Sequence, residues 1–392
     1  MNTNVSSLPS AGTLGIIRRL IAFDTVSRNS NLGLIEWARD HLAGLGVRSR
    51  LSYDAAGGKA NLFATLGDAG GPGLVLCGHT DVVPVDGQPW DTDPFGADIR
   101  GGRIYGRGSC DMKSFIACAL AAAPRMLAAE LRQPIHLAFT YDEEVGCLGA
   151  MTLLADLERE GIRCSGCIVG EPTGMQVMTA HKGHRVYRCS VRGAEAHSSL
   201  APFAVNAIEY AARMVAFIRD LAQETRITGP RDELFSVPHT TMQTAVIAGG
   251  TAPNIVPRDC EFQFDMRYLP GTDPSGLIER IEGFATTSLV PEMRRLSQDA
   301  GIRVELQSEA PDLNTPDSDL LAALGVRLAG NDAIGRVGFA TDGGRFHRAG
   351  IPTIVVGPGS IDQAHMPNEF IELEQVARCE RFLASLCDSI SG

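Results

Sequence analysis

The sequence has no basic stretch. Its 35 Lys and Arg stand against 46 Asp and Glu, a net charge of -11, and such a chain repels a phosphate backbone unless its cations are gathered on one face. Nucleic acid is therefore not an expected partner. Long apolar runs are missing too: the longest, residues 115–123, ends at Pro124, well short of the ~20 residues that a membrane span requires. The opening MNTNVSSLPSAG lacks a basic segment followed by an apolar one, so neither a secretory signal nor membrane association is expected. No cysteine spacing reads as a disulfide framework. The ten cysteines are scattered, and Cys77, Cys118, Cys167 and Cys189 sit inside apolar segments, as small buried hydrophobes do in a reducing compartment. A cytoplasmic address is the expectation.

Repeats at solenoid or propeller periods and low-complexity tracts are also absent. What remains is an ordinary globular composition, 44% hydrophobic and 21% charged, over 392 residues, enough for roughly two or three domains. A small fold held by disulfide or metal staples is excluded by length. Brief β-rich runs bounded by Gly or Pro, namely GLVLCG at 73–78, PIHLAFT at 134–140, CIVG at 167–170 and TIVVG at 353–357, alternate with helical patterns at 112–131 and 145–159. That alternation predicts an α/β domain with a mixed, mostly parallel, covered sheet. From residue 183 to 310 the rhythm changes to β-α-β-β-α-β, with strands at RVYRCSVRG, TTMQTAVIAG, CEFQFDMRY and IRVELQS and helices near 205–225 and 275–289. The α/β pattern then resumes, with helices near 318–328 and 372–389. The simplest organisation is an α/β domain over 1–182 and 311–392, interrupted by an inserted α+β domain over 183–310.

Ligands of open α/β sheets collect at the carboxyl ends of strands, and the residues just past each buried run here are of one chemical kind. GLVLCG leads to His79 and Asp81, PIHLAFT to Glu143 and Glu144, CIVG to Glu171, and TIVVG through a Gly-Pro-Gly loop to His365; Asp111 comes after the glycine-rich 106–110 segment. Singly, these read as a loop histidine, a helix N-cap, first-turn acids and a turn residue. Jointly they are carboxylates and imidazoles at one sheet edge, which repel one another unless cations neutralise them, and this donor set suits Zn²⁺, Co²⁺ or Mn²⁺. The ligand count exceeds that of one tetrahedral zinc with an open water position, so two ions are expected, bridged by Asp111 at a separation of ~3.5–4 Å. Asp81, two residues beyond His79 on the same face of an extended segment, is placed to accept the imidazole's other N–H. Of the adjacent Glu143 and Glu144, one is free to ligate metal while the other faces the bound water as general base.

Other patterns point to structure. Cys164 and Cys167 have redox spacing, but no helix N-terminus follows Cys164 to lower its pKa. The 106–108 glycines lack the third glycine and preceding strand of a dinucleotide loop, and no G-x-S-x-G elbow of a serine hydrolase occurs. His181, His184 and His239 read as structural histidines beside strands. Asp342, after Ala340-Thr341, is open to a substrate or a scaffold role.

The segments CGHTDVVPV, DTDPF, GRGSCDMK, TYDEEVGCLGA, GEPT, AHKGH, GAEAHSS, GTAPNIVP, DMRYLPG and GPGSIDQAHMPNEF run in order across residues 77–370. Together they resemble the M20 family of di-zinc amidohydrolases and peptidases. HSSLAPFAVNAIEYA and QAHMPNEF are most similar to its acetylornithine deacetylase branch. The resemblance implies a zinc-exopeptidase-like catalytic domain and an inserted domain that dimerises. It implies two divalent ions per subunit, Zn²⁺ or Co²⁺, with His79 and Glu171 on one, Glu144 and His365 on the other, Asp111 bridging, and Glu143 as the proton shuttle. It also implies substrate recognition by His197, Asn254 and Arg267, the first two reaching the partner subunit's site. The implied reaction is hydrolysis of an N-acyl-L-amino acid, N²-acetyl-L-ornithine foremost, in arginine biosynthesis. The alternatives are acetylcitrulline deacetylation, succinyl-diaminopimelate desuccinylation or dipeptide cleavage, or a metal-binding protein without catalysis.

Overall fold

A computed structural model describes residues 8–67, 71–331 and 333–392. The chain divides into two compact units, one containing the described residues up to His181 with Leu313–Arg336 and Ala340–Gly392, the other Lys182–Asp312 with Val337–Phe339.

The first unit is built on a nine-stranded sheet in the order Ser49–Tyr53, Ala60–Leu66, Ile135–Thr140, Gly73–His79, Cys164–Val169, Thr353–Val355, Val177–His181, Leu313–Asn314, with Ile334–Val337 also pairing on Val177–His181. The middle strands, from Ile135–Thr140 to Thr353–Val355, run parallel, whereas both flanks are antiparallel. The sheet is thus mixed and only partly parallel, its parallel part confined to the centre. Every residue of Gly73–His79 and Ile135–Thr140 is buried, the burial on both faces that makes parallel strands read as unbroken apolar runs. Their cover includes the helix Lys113–Ala128, which packs against Ala11–Ile21 and Leu373–Ser389. This helix passes through Pro124, as its pattern over 112–131 predicts, at the loss of one backbone hydrogen bond.

The helices Ala11–Ile21 and Leu32–Gly44 and the strands Ser49–Tyr53 and Ala60–Leu66 are elements that no long apolar run announces. The first helix is nonetheless locally encoded: the Ser10 side chain accepts from the Thr13 N–H, and Thr13, Ile17, Leu20 and Ile21 form the buried stripe.

The second unit is a four-stranded antiparallel sheet ordered Thr241–Gly249, Asp259–Tyr268, Gly183–Arg192, Gly301–Ala310. Asp259–Tyr268 alternates exposed and buried residues, the mark of a sheet covered on one face. The covering helices are Ala207–Thr228, N-capped by Asn206, and Ser275–Gly283. The latter continues through a π-helical turn, Phe284–Leu289, into Val290–Arg294, past the end set by its apolar pattern. Phe262, Phe264, Met214, Ile218 and Ile281 lie in this unit's own core, and its β-α-β-β-α-β order is the expected one.

Close packing reaches the functional edge at Gly170. A Cβ built there would lie 1.9 Å from Phe115 Cγ, and Phe115 is itself buried in the main core. Gly170→Ala is expected to lower stability by ~1–3 kcal/mol, as overpacking does. Urea denaturation checks this, and an unchanged midpoint would show that the contact yields freely.

Candidate metal centre

Three neighbouring parallel strands deliver candidate donors to the same edge. His79 is the last residue of Gly73–His79, Glu143 and Glu144 follow Ile135–Thr140 in a tight turn, and Glu171 lies two residues beyond Val169. Asp111 ends the 106–111 loop, and His365 sits in the left-handed region at φ 62. The two oxygens of Asp111 face different histidines: Oδ1 is 2.8 Å from His79 Nε2 and Oδ2 is 3.3 Å from His365 Nε2. His79 Nε2 is also 3.5 Å from Glu171 Oε1, and His365 Nε2 is 3.2 Å from Glu144 Oε1. Two triads of donor atoms lie within 4.8 Å of one another, His79, Glu143, Glu171 and His79, Asp111, Glu144.

Asp81 behaves differently from the expectation. Its backbone carbonyl, not its carboxylate, takes the His79 Nδ1 contact at 2.9 Å; Oδ1 is 3.7 Å away. The strand ends at His79, so the extended register that would place both side chains on one face is lost. The carboxylate instead accepts the backbone N–H groups of Glu143 at 3.1 Å and Glu144 at 3.3 Å and the Ser27 hydroxyl at 2.7 Å. Asp81 therefore orders the turn that carries both glutamates. Asp111 is not a helix cap: the helix begins at Lys113, and Met112 is its N-cap.

Burial dominates the electrostatics. It pushes Glu143 and Glu171 well above the ordinary carboxyl range, helped by Glu144 and Asp111 as like-charged neighbours respectively. Burial also acts to raise Asp111, but hydrogen bonds from His365 and His79 hold it below its ordinary value. His365 is pushed up to about 10 by its contacts with Asp111 and Glu144. Burial opposes the charge of His79, yet Glu171 and Asp111 raise it well above the usual imidazole range. Without ions, this crowding of buried acid raises the proton affinity of His79, His365, Glu143, Glu144 and Glu171. Divalent cations would relieve it, and the nitrogen and oxygen donors fit Zn²⁺ or Co²⁺.

Several residues without a signal in the sequence hold the centre in place. Glu369 Oε1 accepts the backbone N–H groups of Cys110 at 2.7 Å and Asp111 at 3.1 Å, and Oε2 accepts that of Gly108 at 3.0 Å. Arg107 Nη1 donates to Glu369 Oε2 at 2.7 Å, both side chains being 1% exposed. Arg107 Nη2 reaches Gln88 Oε1 at 2.7 Å, and Gln88 Nε2 donates to the His365 carbonyl at 3.0 Å. One polar network thus fixes the segments of Asp111 and His365 together. Glu369 lies within the QAHMPNEF segment, but nothing in its spacing says that three backbone N–H groups converge on it. Asp342 is buried near the floor of the cluster and accepts from Thr140 Oγ1 at 2.6 Å.

His197, Asn254 and Arg267 belong to the second unit. His197 and Asn254 are exposed and adjacent: the Ser198 N–H donates to the Asn254 carbonyl at 3.0 Å, and the His197 side chain accepts from the Ser199 N–H. Arg267, in the strand Asp259–Tyr268, donates from Nη1 to the Gly338 carbonyl at 3.2 Å, with Nε 3.8 Å from Asp265.

The sequence profile of Peptidase family M20/M25/M40 matches residues 75–389. The chain is 35% identical over 374 residues to a Myxococcus xanthus protein named acetylornithine deacetylase, covering 94% of each. Its fold matches the crystal structure of the aminopeptidase PepT from Bacillus cereus with a TM-score of 0.75 at 22% identity, over 98% of this chain and all of that one (100%). It also matches the Bacillus subtilis YXEP protein, described as a dinuclear metal binding peptidase from the M20 family, with a TM-score of 0.66 at 13% identity over 97% of both chains.

Glu369→Gln keeps the shape of the side chain but leaves Arg107 as a buried charge without its counter-ion. The expected loss is ~3–5 kcal/mol, as for other broken buried pairs, read by chemical denaturation. An unaltered midpoint would remove Glu369 from the account of how the Asp111 loop is held.

Proposed function

The chain belongs to peptidase family M20/M25/M40, and from that premise we propose that this metal-dependent amidohydrolase converts N²-acetyl-L-ornithine and water to L-ornithine and acetate, a step of arginine biosynthesis. The observation that carries the site assignment is Asp111 standing between His79 and His365, one oxygen toward each. In this reading two divalent ions, Zn²⁺ or Co²⁺, would be held by His79 and Glu171 at one site and Glu144 and His365 at the other, with Asp111 contributing to both. When bound, ions at such a centre lower the pKa of water and polarise a carbonyl. Glu143 takes a proton from the attacking water and returns it to the leaving nitrogen, which departs only as the protonated amine. Its environment suits that task, since burial raises its proton affinity. Asp81 keeps the turn in place through the N–H groups of both glutamates.

Arg267 matches the substrate's α-carboxylate, because a guanidinium fork recognises that group bidentately. Asn254 contacts the substrate, and His197 donates to the developing oxyanion, both from the partner subunit of a homodimer formed through the second unit. The exposed Val246, Ile247, Leu200 and Phe203 on that unit support an interface there. Ten free cysteines support a reducing, cytoplasmic setting, and no helix among the described residues is long and apolar enough to cross a membrane. The substrate assignment draws its support from the relative in Myxococcus xanthus.

The direct test is kcat/KM for acetyl-ornithine, acetyl-citrulline, acetyl-methionine and succinyl-diaminopimelate with added Zn²⁺ or Co²⁺. Acetyl-ornithine is expected to lead, with all activity lost on chelation; a clear preference for another member would reassign the substrate within the family.

Subunit mixing tests the roles of Glu143 and His197. Glu143→Ala should lower kcat by ~10²–10⁴-fold, and His197→Ala should also be nearly inactive. After exchange, about half the dimers are mixed and each has one intact site, so activity should recover to roughly a quarter of the unmodified enzyme's. Verified exchange without recovery would confine His197 to its own subunit or remove it from catalysis.

A further inference from the structure

Cys147 is a buried thiol that the reaction as described does not use. It stands at the N-cap of the helix Leu148–Arg159 in the left-handed region at φ 56, a conformation that glycine adopts without the Cβ penalty that a cysteine meets. Its side chain is fully buried, and Sγ lies 3.6 Å from Glu143 Oε1, within reach of a sulfur hydrogen bond. The same short turn is fixed from several sides. The Gly146 and Cys147 N–H groups both donate to the Glu143 carbonyl at 2.9 Å, the Glu143 N–H donates to Asp81, and Arg345 Nη2 donates to the Gly146 carbonyl at 2.9 Å. The backbone of Glu143 is thereby held at both its N–H and its carbonyl, and the Cys147 thiol is positioned to hold its side chain. Burial, reinforced by the Glu143 charge, keeps the thiol protonated and therefore a donor. Asp342, the other buried carboxyl near this thiol, takes the Thr140 hydroxyl on Oδ2 at 2.6 Å and also lies within hydrogen-bonding reach of Cys147, so it is the competing acceptor for the S–H.

We propose that Cys147 is the positioning residue of Glu143: its S–H donates to Oε1 and fixes the carboxylate in the orientation that leaves Oε2 to carry the proton. The idea rests on the reading of Glu143 as the proton carrier.

Infrared spectroscopy and kinetics test it together. The S–H stretching band of Cys147 is identified as the band missing in Cys147→Ser. It should move to higher frequency in Glu143→Ala, where the acceptor is gone, and stay in place in Asp342→Asn. In kinetics, Cys147→Ala should lose about tenfold in kcat with KM within about twofold, the pattern of an interaction that matters in the transition state. Cys147→Ser, which restores a donor, should recover most of that loss at unchanged metal content. A band that shifts in Asp342→Asn but not in Glu143→Ala overturns the proposal, as does equal loss in the Ala and Ser variants. If Cys147→Ala is fully active while Glu143→Ala is dead, the positioning role alone falls. If Glu143→Ala is active, the proton-carrier reading falls with it.

Discussion

A protein does not bury carboxylates together without something to oppose their charge, and this chain gathers Asp111, Glu143, Glu144 and Glu171 around two imidazoles at one edge of its sheet. Each isolated ion would cost several kcal/mol to remove from water, and like charges at hydrogen-bond distance add to that. The rest of the first unit is arranged around this cost. The parallel centre of the sheet supplies the strand ends, and burial keeps water from His79, Asp111 and Glu171, whereas the His365 side chain is half exposed. With divalent cations in place the same cluster would become favourable, so the repulsion within the empty arrangement would itself supply affinity for metal.

A site under such internal repulsion needs its segments tied down by bonds that do not touch the donors. The Arg107–Glu369 pair does this for the 106–111 loop by collecting three backbone N–H groups on one carboxylate, and Gln88 extends the hold to the His365 loop. Asp81 does the same for the turn of Glu143 and Glu144. Removing any of these leaves a donor or charge buried without a partner, which is costlier than the net value of the bond it made. The geometry of the metal donors thus depends on residues one step removed from them.

The donors themselves were legible because strand ends are marked by their apolar runs, and a His or acid directly after such a run stands out. The roles of Asp81 and Glu369 were not. Asp81 requires knowing that the strand stops at His79, after which its carbonyl and not its carboxylate faces the imidazole. Glu369 requires knowing which backbone N–H groups face it, a property of loop closure across more than two hundred residues of sequence. The antiparallel flanks of the main sheet were hidden for a related reason: strand direction is set by connections, and Ser49–Tyr53 and Ala60–Leu66 lie in a stretch without long apolar runs. The second unit was plainer, because one-sided burial writes an alternating pattern into Asp259–Tyr268. The roles proposed for His197 and Arg267 rest on the family resemblance and not on their surroundings, which by themselves read as a turn cap and a strand-end ion-pairing group.

The central claim is that the buried carboxylates are neutralised by a pair of divalent ions. Calorimetric titration of chelator-treated protein with Zn²⁺, followed by elemental analysis after dialysis, measures it directly. The account predicts two ions bound per chain, with protons released as His365, whose pKa is pushed up to about 10, and His79, raised well above the usual imidazole range, become ligands. Saturation at one ion, or binding without proton release, would contradict it.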